Sequence, residues 1–316
     1  MVFILTQLVP GEPELAYLSQ RNLSDKEVVA AFRARWGLDQ PLYIQYFKYM
    51  ENLVQGDLGT SFRTNRPVLV DLKQYLPATI ELALVAIIIA TFFGILFGVL
   101  SATWPNSFID HFLRTISVTG VSIPSFWFAL LVLYVFYFHL GWSPGPGRIG
   151  AWSNPPDPIT NFYIIDSIIQ KRWDILKESL QHIFWPALVL GTFTMGLITR
   201  TNRSSLLETM SMDYIRTARA KGLGKLAVVT RHAFGNAFIP VITVIGLGFG
   251  NLLGGAVLVE TIFSWPGIGM YAYRSAVSLD YPAITGVALL IAVNYVIINL
   301  IVDILYGIID PRIRYQ

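Results

Sequence analysis

Five stretches of this chain carry no charged side chain. No Asp, Glu, Lys or Arg stands between Glu81 and Asp110, Arg114 and Arg148, Glu178 and Arg200, Arg231 and Glu260, or Asp280 and Asp303. A helix that crosses the hydrocarbon core needs about 20 mainly apolar residues, and each stretch is long enough. The pattern predicts spans at about Ala78–Ala102, Pro124–Leu140, His182–Thr201, Ile239–Val259 and Ala283–Ile308, with Pro77 opening the first and Pro186 in the first turns of the third. Buried core helices of a soluble protein account for one such run but not for five. The opening "MVFILTQLV" is apolar but ends at Pro10. About nine residues do not cross a bilayer, so residues 1–10 read as the outer half of a partial first span.

The polar intervals predict shorter elements. In the segment 11–76, "LSDKEVVAAFRARWGL" reads as a helix with Ser24 as N-cap, Glu27 completing a capping box and Gly37 as C-cap. "PLYIQYFKYMENLVQG" reads as a second, with Pro41 in its first turn and Gly56 at its end. Its aromatic face (Tyr43, Tyr46, Phe47, Met50) is expected to pack on the fold. Phe108–Thr119 is amphipathic and reads as interfacial. "GWSPGPGRIGAWSNPPDP" is too rich in Pro and Gly for a helix, and a short outer helix is expected around Tyr163–Leu180. "TIFSWPGIGMYAYRSAVSLDYP" reads as a re-entrant turn before the last span. The outcome is an all-α polytopic membrane protein in three parts: the partial span 1–10, an extracytoplasmic helical segment 11–76, and a transmembrane domain 77–316.

Composition agrees, with 54% hydrophobic and only 14% charged residues against about 25% charged in an ordinary soluble domain. The net charge of +3 says less than its placement. Arg200, Arg203, Arg216, Arg219, Lys221, Lys225 and Arg231 are opposed only by Glu208 and Asp213, and the tail adds Arg312 and Arg314. Basic loops stay in the cytoplasm, so the loop at about 202–235 and the C-terminus are both expected inside. The absence of cysteine excludes disulfides, thiol catalysis and Cys-ligated zinc.

Gly246, Gly250 and Gly254 recur every fourth residue and form a ridge without side chains, a surface on which two membrane helices approach closely, inside the subunit or across a dimer. Polar groups in spans are functional suspects. Asn251, Glu260, Asn294, Asn299 and Asp303 are therefore possible pathway residues, although Asp303 lies near the cytoplasmic end, where water or Asn299 satisfies it. "GLGKLA" is no phosphate-binding loop: Arg219 stands where its first glycine belongs, and Leu226 where Ser or Thr binds magnesium. No catalytic constellation and no metal-ligand set emerges.

"DYIRTARAKGL" (Asp213–Leu223) is basic yet laced with small residues. Ala218 and Gly222 lie one helical turn apart, flanked by Thr217 and surrounded by Arg216, Arg219 and Lys221. That makes a flat patch for a partner's backbone, ringed by donors for carboxylates or helix C-termini. Anionic lipid would account for the charge but not for the small patch.

This stretch resembles the cytoplasmic Glu-Ala-Ala loop of ABC-importer permeases, with Arg216, Thr217 and Ala218 in the three motif positions and Gly222 as the glycine that follows. Gly235 stands where the motif's later proline is usual. "GDLGTSF" (Gly56–Phe62), "LPATIELAL" (Leu76–Leu84), "NAFIPVITVIG" (Asn236–Gly246), "ETIFSWPGIG" (Glu260–Gly269) and "DILYGIIDPRIRY" (Asp303–Tyr315) extend the likeness, from about Val2 onward, to B-type permease subunits of dipeptide and oligopeptide importers in the peptide/nickel family. The resemblance implies a type I ABC-importer permease fold with five complete spans and the partial one, in a bacterial or archaeal plasma membrane. It implies a sister permease, two cytoplasmic ATPase subunits, an extracytoplasmic peptide-binding protein and a peptide substrate. Membrane lipid surrounds the chain, and nucleic acid is not a partner. No cofactor is expected on this chain, since ATP and magnesium belong to the ATPases. The 206–235 loop would hold a coupling helix, with Ala218 and Gly222 for close packing and Arg216, Thr217, Arg219 and Lys221 around them. Nickel or another small solute is the alternative within the family. An ion-coupled secondary transporter would want inverted repeats and mid-membrane ionisable groups, and a membrane enzyme would want clustered catalytic groups at one depth.

Overall fold

The computed structural model describes residues 25–309 together with Leu18. The partial span 1–10 and the Ser24 cap lie outside the described residues. Helix α1, Lys26–Trp36, is instead capped by Asp25, whose side chain accepts from the Glu27 N–H at 3.0 Å. Glu27 is then two residues from the cap, so the capping box does not form. Gly37 ends α1 in the left-handed region, at φ 67°. Helix α2, Leu42–Val54, buries none of its residues. On its aromatic face Tyr43 is 65% and Phe47 68% exposed, so these two rings do not pack on the fold as expected.

Two long helices form the spine. Helix α3 runs Val68–Thr103 and, beyond the short elements between, α7 runs Trp173–Thr209. At 1.5 Å per residue each is about 54–56 Å long, well beyond a hydrocarbon core of about 30 Å. Here the expected boundaries fail. Pro77 lies inside α3 rather than at its start, Pro186 lies inside α7, which begins at Trp173 rather than at His182, and Pro67 is the residue that precedes α3. An interior proline removes one backbone hydrogen bond, which membrane helices tolerate when neighbours re-satisfy the freed carbonyl. The outer helix expected around Tyr163–Leu180 therefore divides into a short α6, Tyr163–Ile169, and the first turns of α7.

Glycines set the contact between α3 and α7. A methyl group on Gly94 would strike the Ile198 side chain, one on Gly98 would strike Asn202, and one on Gly191 would lie 2.7 Å from the Ala86 carbonyl oxygen. Asn202 Nδ2 donates to the Ile95 carbonyl at 3.0 Å. Above this contact the core is built from small and branched residues: Ala78, Leu82, Ala83 and Ala86 of α3 against Ile183, Ala187 and Leu190 of α7.

Between the two lie α4, Phe108–Ser122, and α5, Ser125–Val132, which continues as a wider π-helical turn over Leu133–His139. The α4–α5 pair is bent by 107°. After α7 come α8, Asp213–Ala220, then α9, Lys225–Val228, leading through a π-helical turn into α10, Phe234–Gly255. Two short helices follow, α11, Val257–Ile262, and α12, Ile268–Val277, and α13, Tyr281–Ile309, completes the described chain. Four of these helical stretches are long and apolar enough to cross a membrane, or five if α4–α5 is one broken span.

Candidate functional site

Helix α8 is short and strongly two-sided. Its apolar positions Ile215 and Ala218 are 0% and 6% exposed. They seat in a pocket of Ala102 from the end of α3, Leu206 of α7, and Val228, Val229, Ala233 and Ala237 of the α9–α10 stretch. Arg216, Thr217, Arg219 and Lys221 are exposed. Arg216 pairs with Asp213 one turn earlier at 3.2 Å, and the Thr217 hydroxyl donates to the Asp213 carbonyl at 3.4 Å. Asp213 in the first turn and Arg219 in the last complement the helix dipole.

This geometry corrects one sequence reading. Ala218 is not on a free patch; it faces the chain's own spans, because the i, i+3 spacing of Ile215 and Ala218 supplies the only apolar stripe that α8 has to bury. Gly222 stands where the reading put it, exposed, at φ 80° and with open space around the position a Cβ would take. Its N–H donates to the Arg219 carbonyl at 2.9 Å, so a left-handed glycine closes the helix. The result is an elbow anchored by Ile215 and Ala218, with three cations and a bare backbone turn facing outward.

The glycine ridge packs inside the subunit. A methyl on Gly246 would collide with Val302, and those on Gly250 and Gly254 would touch Ile298 and Ile291, at 3.5 and 3.4 Å. All three partners belong to α13.

Of the pathway candidates, Asn251 is exposed, Asn294 and Asn299 are half-buried on α13, and the Asp303 side chain lies outside the described residues. Glu260 is wholly buried. It accepts from the Thr79 hydroxyl of α3 at 2.7 Å and the Met270 N–H at 3.0 Å. Burial pushes its carboxyl up to about 7, with those donors and the Gly269 N–H opposing the rise. Gly267 and Gly269 are bare because the Glu260 carboxylate fills the space of a Cβ. Trp265 ties the same turn to α3 by donating to the Ala78 carbonyl at 2.8 Å. Glu260 is thus a clamp for the "TIFSWPGIG" turn rather than a lining group.

Four further carboxylates that sequence reasoning passed over hold the connections. Glu81 of α3 meets Arg148 of the Pro/Gly loop at 2.6 Å and accepts from the Ile164 N–H at 2.8 Å, and both members of the ion pair are buried. The Arg148 guanidinium also lies over the Tyr163 ring, 3.5 Å from its centroid. Asp110 of α4 takes two bonds from Arg203 of α7, each 2.8 Å. Asp71 accepts from the Thr64 hydroxyl and the Arg66 Nε at 2.7 and 2.9 Å. Asp280, just before α13, accepts from the Ser61 hydroxyl and from the Phe62 and Arg63 N–H groups, which pins the "GDLGTSF" turn to the last span. Apart from Thr64 and Arg66 beside Asp71, the partners lie tens to hundreds of residues away, so local sequence does not reveal the pairing.

The fold defines a helical membrane protein, and comparison with known proteins gives its class. Residues 94–315 match the family described as binding-protein-dependent transport system inner membrane component, and residues 1–83 match its N-terminal counterpart. The chain belongs to this family of ABC-importer permeases. It is 46% identical over 313 residues to the probable D,D-dipeptide transport system permease protein DdpB of Escherichia coli, covering 99% of this chain and 92% of that one. It is also 46% identical over 318 residues to the dipeptide transport system permease protein DppB of Alkalihalophilus pseudofirmus, covering 100% of this chain and 94% of that one. A glutathione transport system permease protein, GsiC of Salmonella paratyphi A, is 38% identical over 316 residues, covering 100% of this chain and 93% of that one. Among solved structures, the inward-facing methionine transporter MetNI shares the fold, with a TM-score of 0.52 at 16% identity over 74% of this chain and 93% of that one. The protein is a multi-pass permease subunit of the inner membrane, not an enzyme. Its family works with a separate binding protein and with separate ATPase subunits.

Proposed function

We propose that this chain is one of two permease subunits of an importer for dipeptides or oligopeptides, that it forms the translocation pathway with a sister permease, and that α8 couples it to an ATPase. ATP and magnesium are held on the ATPases. The chain's C-terminus and the elbow at 202–235 face the cytoplasm, where the basic residues belong, and the outer segment receives the peptide-binding protein. The carrying observation is the two-sidedness of α8. Ile215 and Ala218 weld it to the ends of α3, α7 and α10, while Arg216, Arg219, Lys221 and Gly222 are exposed on the opposite side. A push on the exposed face is then delivered to three spans at once, so closing of the ATPases biases the membrane helices between two arrangements. The peptide class rests on the full-length relatives named for dipeptide and glutathione transport.

The test is Gly222→Trp in the reconstituted complex. The bulky residue is expected to uncouple ATP hydrolysis from peptide uptake or to prevent ATPase association. Coupled uptake at the wild-type rate would remove α8 from the mechanism.

A further inference from the structure

A second cationic feature lies on the neighbouring face of the molecule. Helices α4 and α7, with Ser101 of α3, enclose a cleft of about 510 Å³, within the range of roughly 300–1,000 Å³ usual for small-ligand sites. The two helices touch, because Gly196 lets the Ser117 carbonyl and the Val121 side chain come within 2.6 Å of where its Cβ would be.

Its charge is unbalanced. Arg203 is neutralised by Asp110, whose carboxylate is already engaged by two guanidinium bonds and by the Asn106 N–H at 2.9 Å. Arg114 and Arg200 also line the cleft and are exposed, and among the described residues neither is paired with a carboxylate. Arg114 touches His111 Nδ1 at 2.8 Å. Two guanidinium groups without carboxylate partners, Arg114 on the α4 wall and Arg200 on the α7 wall, call for an anion with several oxygens.

The walls narrow the choice. The hydroxyls of Ser117, Ser122 and Thr199 each donate to the carbonyl four residues back, at 2.8, 2.9 and 2.8 Å. Ser117 and Thr199 are buried, whereas Ser122 is exposed and offers only lone pairs to the cleft, which suits a ligand that carries an O–H donor beside its anion. The flank is apolar. Val118 lines the cleft and is 58% exposed, and Phe108 and Phe112 on the same helix are 81% and 54% exposed and stacked at 6.1 Å. A hydrophilic peptide gains nothing from that flank, whereas acyl chains do. An exposed apolar flank beside unpaired arginines is also an arrangement that holds acidic lipid.

We infer that the α4–α7 cleft is a binding site for a phospholipid whose headgroup is a phosphodiester with free hydroxyls, of the phosphatidylglycerol type. Arg114 and Arg200 take the phosphate, the exposed Ser122 oxygen accepts from the glycerol, and the chains run over Val118 and Phe112. Because α4 and α7 are joined through Asp110 and Arg203 next to the seat of α8, an occupant here braces the base on which α8 rests.

The test is native mass spectrometry of the full chain in micelles doped equally with phosphatidylglycerol and phosphatidylcholine. One phosphatidylglycerol is expected to be retained in preference. The Arg114→Gln/Arg200→Gln double variant should weaken that preference about thirtyfold, from about tenfold per 1.4 kcal/mol and roughly 1 kcal/mol per arginine. The Arg→Lys double variant should keep most of it, which separates lost charge from lost folding. Lys177→Gln, in the separate groove lined by Trp142, Trp173 and Trp185, should change nothing. Equal retention of the two lipids, or an undiminished preference in the Gln variant, overturns the site. A Gln variant that retains lipid normally but loses peptide uptake would overturn it too and give the cleft to the substrate.

Discussion

Glu260 and Thr79 are 181 residues apart in the chain and meet at 2.7 Å inside the fold. Thr79 in turn accepts from the Ile268 N–H at 2.7 Å, and Glu260 from Met270 at 3.0 Å. Two side chains thereby fasten the turn between α11 and α12 to the spine helix α3. The bond partners explain why the "LPATIELAL" and "ETIFSWPGIG" blocks belong together: each supplies half of one clamp.

Removing the clamp leaves buried donors without acceptors, so Glu260→Ala is expected to destabilise by about 2–4 kcal/mol. Glu260→Gln keeps an acceptor oxygen and should cost less than half as much. Gly269→Ala should match the Ala variant, since the added methyl would lie 2.6 Å from the Val257 Cα, a backbone atom that cannot swing aside. Thermal unfolding of the purified chain in detergent reads all three. Equal melting of Glu260→Ala and wild type would show that the clamp contributes nothing.

The Arg148–Glu81 pair is a different case, because both members are buried and charged. Breaking it from one side strands the other charge, which typically costs about 3–5 kcal/mol. Arg148→Met and Glu81→Gln should each be strongly destabilising, yet the double variant should recover much of the loss. A cycle of the four proteins measured by thermal unfolding gives the coupling directly. Additive losses would mean that the two residues act independently.

How much of this was legible beforehand depends on the range of the interaction. The charge-free runs located the spans, and the fourfold glycine spacing marked a packing ridge, because both are local patterns imposed by the helix repeat and the membrane. Pro77 reads as a helix start because proline usually opens one, yet it sits within α3; Pro186 is inside a helix as expected, but α7 begins at Trp173 rather than at His182. Ala218 was assigned to the outer patch because small size alone does not tell which way a side chain points; its alignment with Ile215, one turn back, does. The carboxylate staples at Asp71, Asp110, Asp280 and Glu81 were missed since most of their partners come from distant segments. An acidic residue bordering a long apolar run is the one hint the sequence held.

Asp280 joins the outer segment to the last span through Ser61, Phe62 and Arg63. Asp280→Ala removes the only carboxylate among those bonds. The expected outcome is a loosened turn at 57–66, seen as faster amide hydrogen exchange there than in the wild-type chain, while α3 and α7 keep their protection. Unchanged exchange in that turn would mean that packing of Phe62 alone holds it.

The cysteine-free chain permits a direct test of orientation. A single Ser211→Cys, at an exposed position beside α8, should react with a membrane-impermeant maleimide only after cells are opened. Labelling from outside intact cells would invert the topology and with it the side on which an ATPase docks.

The two faces of α8 are separable by substitution. Ala218→Leu forces extra volume into a closed pocket of Ala102, Leu206 and Val228, and overpacking of this kind costs about 1–3 kcal/mol. It should lower stability and coupling together. Arg216→Ala with Arg219→Ala touches only exposed groups, whose single ion pair to Asp213 is a surface one worth about 0–1 kcal/mol. That variant should melt as wild type does while uptake per ATP falls several-fold. Gly222→Asn refines the point, because asparagine tolerates the left-handed backbone that Gly222 adopts at φ 80° and adds only bulk on the outer side. A drop in coupling with an unchanged melting point assigns Gly222 to close contact with a partner. A drop in both would make it a structural cap and leave the arginines to carry the docking alone.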